Sequence, residues 1–163
     1  MMTRALTAVL LTGVTTIAAH AGVPVVQNFE VTLKLSAQLI AELSAKNETI
    51  IVNSVYYGDP NESGAADVDE MGVIQLGEER TEVPPADTTI PVNAIADPAK
   101  LAMIEGGAKV NVNVFTGRKS SGDNLISCDF IDGPISELIA APTEISCGLI
   151  TENPVTMLKP AKS

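Results

Sequence analysis

The sequence is very poor in histidine and in aromatic residues. One of its 163 residues is a histidine, none is a tryptophan, and only two are tyrosines and three phenylalanines. The single histidine, His20, lies in a segment that we expect to be removed. A chain without histidine holds no Ser-His-Asp or Cys-His site and no histidine-ligated metal. We therefore predict a protein that is not an enzyme.

Residues 1–21 have the pattern of a secretory signal peptide. Arg4 supplies a positive charge, residues 5–18 (ALTAVLLTGVTTIA) are largely apolar, and residues 19–21 (AHA) place small side chains before a cleavage point. The apolar run is shorter than the roughly 20 residues that span a bilayer, which disfavours the alternative of a signal anchor. We predict export to the periplasm or the extracellular space, without membrane insertion after cleavage.

Cys128 and Cys147 are an even pair, which in an exported chain is first interpreted as a disulfide because that compartment is oxidising. Each lies on the apolar face of a predicted strand. Closing a loop of this length stabilises by roughly 3 kcal/mol in the chain-entropy model. The alternative, a thiol nucleophile, lacks a histidine that would lower its pKa.

Alternating apolar and polar residues predict β-strands along most of the chain. The clearest strands span residues 29–36 and 109–115, and residues 48–58 are apolar on both faces, as in a central strand. Pro91 restricts the strand at 88–95 to an edge or a bulge. Further strands are predicted at 72–76, before an acidic stretch, at 124–131 and at 144–150. Residues 37–46 fit either a helical turn or a strand.

One short helical turn is predicted after Asp97, where the aspartate caps the helix and Pro98 takes its first position. The pattern predicts an all-β fold, an immunoglobulin-like or related antiparallel β-sandwich of about seven strands. The Cys-Trp-Cys spacing of true immunoglobulin domains is missing. We expect one domain over residues 22–150 and a flexible C-terminal tail over residues 151–163.

The segment Asp59–Glu70 (DPNESGAADVDE) has the spacing of a twelve-residue calcium loop, with Gly64 at the sharp turn. The preceding segment is a strand rather than a helix, and no second loop is present to pair with it. The alternative is a solvated acidic loop that resembles the motif by composition. The candidate calcium ligands are Asp59, Asn61, Ser63, Asp67 and Glu70.

Between residues 59 and 82 the chain carries eight acidic residues and one basic residue, Arg80, within a chain of net charge −10. Such a surface repels nucleic acid and anionic membranes and attracts a cationic partner. The simpler interpretation is that these charges only keep the protein soluble. Tyr56 and Tyr57 end the central strand beside this segment and point to opposite faces. Either one of them is exposed and serves as a contact anchor, or both pack on the two faces of the sheet. The predicted partner-binding residues of this region are Tyr57, Glu78, Glu79 and Glu82.

Arg118 and Lys119 are an adjacent basic pair in the predicted hairpin connection at residues 117–123 (GRKSSGD). Such a pair either binds a carboxylate or phosphate of a partner, or merely caps the hairpin. Both residues are included among the candidate partner-binding residues.

These features predict an exported, non-catalytic binding module that presents an acidic surface to a cationic or protein partner, as an inhibitor or immunity protein would. It would be a monomer or a weak homo-oligomer, without a cofactor unless the calcium loop is occupied. Two alternatives remain: an assembly subunit of pilin-like sandwich type, whose sheet edge is completed by a neighbouring chain, and a calcium-stabilised structural domain.

Overall fold

A computed structural model describes residues 27–93 and 96–159, so the predicted signal peptide lies outside the described residues. The chain forms two sheets that pack face to face, which confirms the predicted all-β sandwich. The described residues form nine strands rather than seven. The strands are β1 (Phe29–Leu35), β2 (Ile50–Pro60), β3 (Ile74–Val83), β4 (Thr88–Val92), β5 (Ile104–Thr116), β6 (Ile126–Cys128), β7 (Phe130–Pro134), β8 (Thr143–Leu149) and β9 (Leu158–Lys159).

The four-stranded sheet has the order β4-β1-β8-β6, and the five-stranded sheet has the order β3-β2-β5-β7-β9. Most pairs are antiparallel, as expected, but β1 pairs with β8 and β7 pairs with β9 in parallel. Strand β4 lies at a sheet edge, where Pro91 needs no ladder partner for its missing N–H. The central strand predicted at residues 48–58 is β2, which lies between β3 and β5.

Several strand predictions differ from the structure. Strand β2 continues to Pro60, and β5 begins at Ile104 instead of residue 109. The strand predicted to end at residue 76 is β3, which continues through the acidic stretch to Val83. The single strand predicted at 124–131 is two strands in different sheets, separated by Asp129. The Asp129 carboxylate is buried and accepts hydrogen bonds from the backbone N–H groups of Ser146 and Met157, which turns the chain from one sheet to the other.

Residues 37–46, which the pattern left open, form helix α1 (Ala37–Ala45). The helix begins at Ser36, whose side chain accepts a hydrogen bond from the Leu39 N–H, and it buries Leu39 and Leu43. The short helix predicted after Asp97 is α2 (Pro98–Leu101), with Asp97 as its cap. None of the described helices is long and apolar enough to span a bilayer.

The core lies between the two sheets and consists mainly of aliphatic side chains, as the low aromatic content requires. Tyr56 is the largest side chain that is fully buried, and its hydroxyl donates a hydrogen bond to the Asn93 carbonyl. Burial of aliphatic surface contributes about 25 cal/mol per Å², so many small side chains supply what aromatics supply elsewhere. Representative core residues from both sheets are Val31, Leu33, Ile50, Val52, Val110, Val112, Ile131 and Ile145.

Cys128 and Cys147 form the predicted disulfide. The bond joins directly paired residues of neighbouring strands β6 and β8 within one sheet, rather than crossing the core between the sheets. Cys147 is buried and Cys128 is half-buried.

The C-terminal segment, expected to be a flexible tail from Thr151, follows the domain surface through Lys159. Leu158 and Lys159 pair with β7, and the Lys159 ammonium lies 3.4 Å from the Asp129 carboxylate. Contacts to the domain therefore continue nine residues beyond the expected boundary at residue 150.

Candidate functional site

The outer face of the five-stranded sheet, the side that points away from the other sheet, carries polar and apolar side chains in neighbouring rows. Along β2 the buried residues alternate with half-buried ones, and Val55 and Tyr57 are among those on the outer face. Val55 pairs with Glu78 on one side and Asn111 on the other. A β-bulge after Tyr56 brings Gln75 opposite Tyr57.

At the Tyr57 end, this face contains a groove of about 520 Å³. Strands β2, β3, β5 and β7 form its floor, and the loop before β3 forms its wall. Its lining combines apolar side chains with two carboxylates and two amides. The residues that line the groove are Val55, Tyr57, Asp69, Met71, Val73, Gln75, Asn111 and Asp132.

The wall of the groove is shaped by Asp69. Its Oδ1 accepts hydrogen bonds from the N–H groups of Met71 (2.8 Å) and Val73 (3.2 Å), while its own N–H donates to the Val73 carbonyl. The tight turn leaves the Met71 side chain 82% exposed at the rim. A flexible, polarizable thioether at the mouth of a groove adapts to different contacting surfaces.

On the floor, the Tyr57 hydroxyl donates a hydrogen bond of 2.6 Å to Oδ1 of Asp132. Burial, followed by the hydrogen bond to Asp132 and its negative charge, raises the pKa of Tyr57 above its ordinary value. The phenol therefore stays protonated and acts as a donor that orients the Asp132 carboxylate. A tyrosine of this kind is suited to binding and not to acting as a base at neutral pH.

The basic loop, residues 117–123, lies at the other end of the same sheet and is held by the buried carboxylate of Glu48. Glu48 is 2% exposed, and it accepts hydrogen bonds from the Ser120 hydroxyl and from the N–H groups of Ser120, Lys119 and Thr49 at 2.7–3.1 Å. Burial raises the pKa of Glu48, but these hydrogen bonds outweigh burial and lower it to about 2. The carboxylate is therefore a structural anchor for this loop.

The side chain of Lys119 forms an ion pair with Glu82 on β3, and the hydrogen bond from Lys119 lowers the pKa of Glu82. Beside this pair, the Arg80 guanidinium lies 5.4 Å from the centre of the Phe115 ring on the neighbouring outer-face position of β5. These contacts connect the basic loop to the outer face.

The structure brings most of the predicted partner-binding residues to one surface. Tyr57, Glu78 and Glu82 lie on the outer face, and Arg118 and Lys119 lie at its end. Glu79 does not join them, because strand alternation turns it to the opposite side. There its carboxylate accepts hydrogen bonds from the backbone and side chain of Asn93.

The candidate calcium ligands have other contacts in the structure. Asp59 lies 2.7 Å from the Lys109 ammonium. The Asn61 amide oxygen accepts hydrogen bonds from Ser63 and from the Gly64 N–H. Among residues 27–93 and 96–159, no three His, Cys, Asp or Glu side chains are grouped as a metal site. The remaining two candidates, Asp67 and Glu70, are exposed, and the calcium hypothesis stays a prediction.

Several residues of this surface were not identified from the sequence. Asp132 and Asn111 reach the groove only through the pairing of β5 with β7, which has no local signal. Glu48 was missed for the same reason, because its carboxylate binds the N–H groups of Lys119 and Ser120, more than 70 positions away in sequence.

The chain matches no protein-family model, no curated protein and no solved structure in the comparisons.

Proposed function

We propose that this chain is an exported, non-catalytic binding module whose groove takes a basic side chain of a partner protein. The observation that carries the proposal is the composition of the groove. It has two carboxylates, Asp69 and Asp132, and no lysine or arginine among the described residues that line it. Lys109, which pairs with Tyr57 on the neighbouring strand, is already engaged by Asp59. A groove whose lining carries two negative charges beside apolar side chains is complementary to a long cationic side chain.

The arrangement of the lining suits both parts of a lysine or arginine. Val55, Val73 and Met71 provide apolar contact for the aliphatic stem, which such side chains bury while the charged head stays near polar groups. Asp132, already oriented by Tyr57, and Asp69 provide acceptors for charge-assisted hydrogen bonds with the head group.

The electrostatic field of the chain supports the same partner class. The net charge of −10 and the run of acids between residues 59 and 82 attract a basic protein surface at long range and accelerate its association. The disulfide between Cys128 and Cys147 supports export, because such bonds persist in oxidising compartments.

The test uses random linear peptides displayed on phage and selected against the immobilised protein. We expect selected peptides to be rich in lysine or arginine, and Asp132→Asn to weaken their binding by about tenfold or more. Glu144→Gln is the matched control, because it removes one negative charge from an exposed position on β8 in the other sheet. Equal effects of the two substitutions, or selected peptides without basic residues, would contradict the proposal.

A second candidate function, an assembly subunit, is favoured by the β7–β9 edge. Phe130 and Leu158 pair across this edge, and each is more than one-third exposed. An apolar sheet edge of this kind is where a neighbouring chain adds a strand. If assembly is the function, the purified chain forms oligomers in sedimentation experiments and Phe130→Asp dissociates them. A monomer at every concentration contradicts it.

A further inference from the structure

Arg118 differs from the other lysine and arginine residues that the structure describes. Within the described part of the sequence, Arg118 is the only lysine or arginine whose side chain has no ion pair, hydrogen bond or ring contact. Arg80 packs on Phe115, and Lys100 donates a hydrogen bond to the Gln75 carbonyl. The remaining cations are in ion pairs, and these are Lys34, Lys46, Lys109, Lys119 and Lys159.

The backbone of Arg118 adopts a conformation that does not suit arginine. Its φ of +57° is in the left-handed region, which costs a residue with a Cβ roughly 1–2 kcal/mol and costs glycine almost nothing. Among the described residues, no hydrogen bond, ion pair or ring contact of the Arg118 side chain offsets this cost. An arginine at a position where glycine is more stable therefore points to a role for the side chain itself.

The loop around Arg118 is fixed on both sides. The Gly117 N–H donates to the Thr49 carbonyl at 2.8 Å, and the Lys119 N–H donates to the buried Glu48 carboxylate at 3.1 Å. The Lys119 side chain is held by Glu82. The exposed guanidinium therefore extends from a rigid support, so less entropy is lost when it binds than from a mobile loop.

We propose that Arg118 is a second binding anchor, which takes a carboxylate of a partner protein. A guanidinium binds a carboxylate through two parallel hydrogen bonds, so a single acidic side chain suffices as its ligand. Polyanions such as nucleic acid are disfavoured, because the net charge of −10 repels them.

The anchor is separate from the groove. Along β2, Tyr57 is seven steps from Ile50, which lies beside the basic loop, and at 3.3 Å per step this is about 23 Å. A partner that contacts both ends of the outer face would carry a basic residue and an acidic residue at that separation. The proposal for Arg118 does not depend on the groove.

The same displayed peptides provide the test, in a selection against the groove variant Asp132→Asn, so that binding to the basic loop is enriched. We expect peptides that contain aspartate or glutamate, and Arg118→Gln to weaken their binding by about tenfold or more. Arg118→Lys should restore the affinity only in part, because an ammonium does not form the two-bond contact. Lys34→Gln, the same charge change in the other sheet, should have little effect.

The Arg118→Gly variant separates the effect of the side chain on peptide binding from its effect on stability. It should unfold at a higher urea concentration than the wild-type chain, because glycine relieves the left-handed backbone, and it should still lose the acidic peptides. Acidic peptides that bind Arg118→Gln as tightly as the wild type, or a selection that yields no acidic peptide, would overturn the proposal. Neither result affects the groove, whose binding is judged by Asp132→Asn alone.

Discussion

The two ends of the outer face differ in how they are held. At the basic loop, a buried carboxylate of Glu48 binds several backbone donors, and the loop is fixed from within the protein. At the groove, the loop before β3 is held by the half-buried amide of Asn61, which also donates to the Ala102 and Ile104 carbonyls, and by the exposed carboxylate of Asp69. The first arrangement suits a single fixed anchor, and the second suits a wall that adjusts to its ligand.

This difference shows where rigidity comes from in a domain with few aromatic residues. A buried charge that is fully hydrogen-bonded is costly to disturb, because any lost partner leaves an unsatisfied group in the interior. A hydrogen bond at the surface is readily replaced by water. The substitutions below therefore should have the largest effect at the Glu48 end and smaller effects at the groove.

Glu48→Gln should have the largest effect on stability. The amide replaces one acceptor oxygen by a donor that faces the N–H groups of the loop, and we expect the free energy of unfolding to fall by about 3 kcal/mol. Urea unfolding measures this free energy. Glu42→Gln, which breaks an exposed ion pair with Lys46, is the control and should change it by less than about 0.5 kcal/mol. Similar effects of the two substitutions would remove the contrast between buried and exposed carboxylates.

Lowering the pH should remove the stability that the Glu48 carboxylate contributes. The folded-state pKa of Glu48 is about 2 and its ordinary value is 4.5, so its contribution is fully present above about pH 4.5 and is lost as the pH falls towards 2. The pKa difference corresponds to about 3 kcal/mol. Unfolding curves between about pH 5 and pH 2 should show the difference between wild type and Glu48→Gln shrinking. A constant difference would mean that Glu48 does not titrate as described.

Asn61→Ala should affect the groove end alone. It removes an amide that accepts from Ser63 and Gly64 and donates to the carbonyls of Ala102 and Ile104, so we expect a loss of about 1–2 kcal/mol. Hydrogen exchange should accelerate in residues 61–73 and stay unchanged in the basic loop. Glu62→Ala, an exposed neighbour, is the control. Faster exchange at both ends would show that the two ends are not independent.

Tyr57→Phe should have the smallest effect. It removes one partly exposed hydrogen bond to Asp132 while the ring remains in place, and we expect a loss of under about 1 kcal/mol in urea unfolding. A loss as large as that of Glu48→Gln would mean that the groove is held as rigidly as the basic loop.

Strands β1 and β5 were predictable because the alternation of apolar and polar residues reports burial directly. Strand β2 was predictable from its β-branched and aromatic residues, which are apolar on both faces. The edge position of Pro91 and the cap at Asp97 also follow from local patterns. The extent of β3 did not, because its second half alternates glutamates with half-buried residues and resembles a solvated loop.

The groove and the chain reversal at Asp129 could not be predicted for a different reason. Both depend on pairs of residues far apart in sequence, such as Tyr57 with Asp132 and Asp129 with Met157. The register of strand pairing and the bulge after Tyr56 decide which side chains share a face, and neither has a signal in a single sequence. Residues 59–82, which the charge composition singled out, contribute the wall of this groove and part of its floor.

Site-specific photo-crosslinking in the source organism tests the binding surface most directly. A photoreactive amino acid is placed at Met71, on the rim of the groove, and in a second variant at Thr89, which is exposed on β4 of the other sheet. We predict a discrete crosslinked protein from position 71 and none from position 89. Crosslinking from position 89 alone, or equally from both positions, would contradict the claim that the outer face of the five-stranded sheet is the surface that binds.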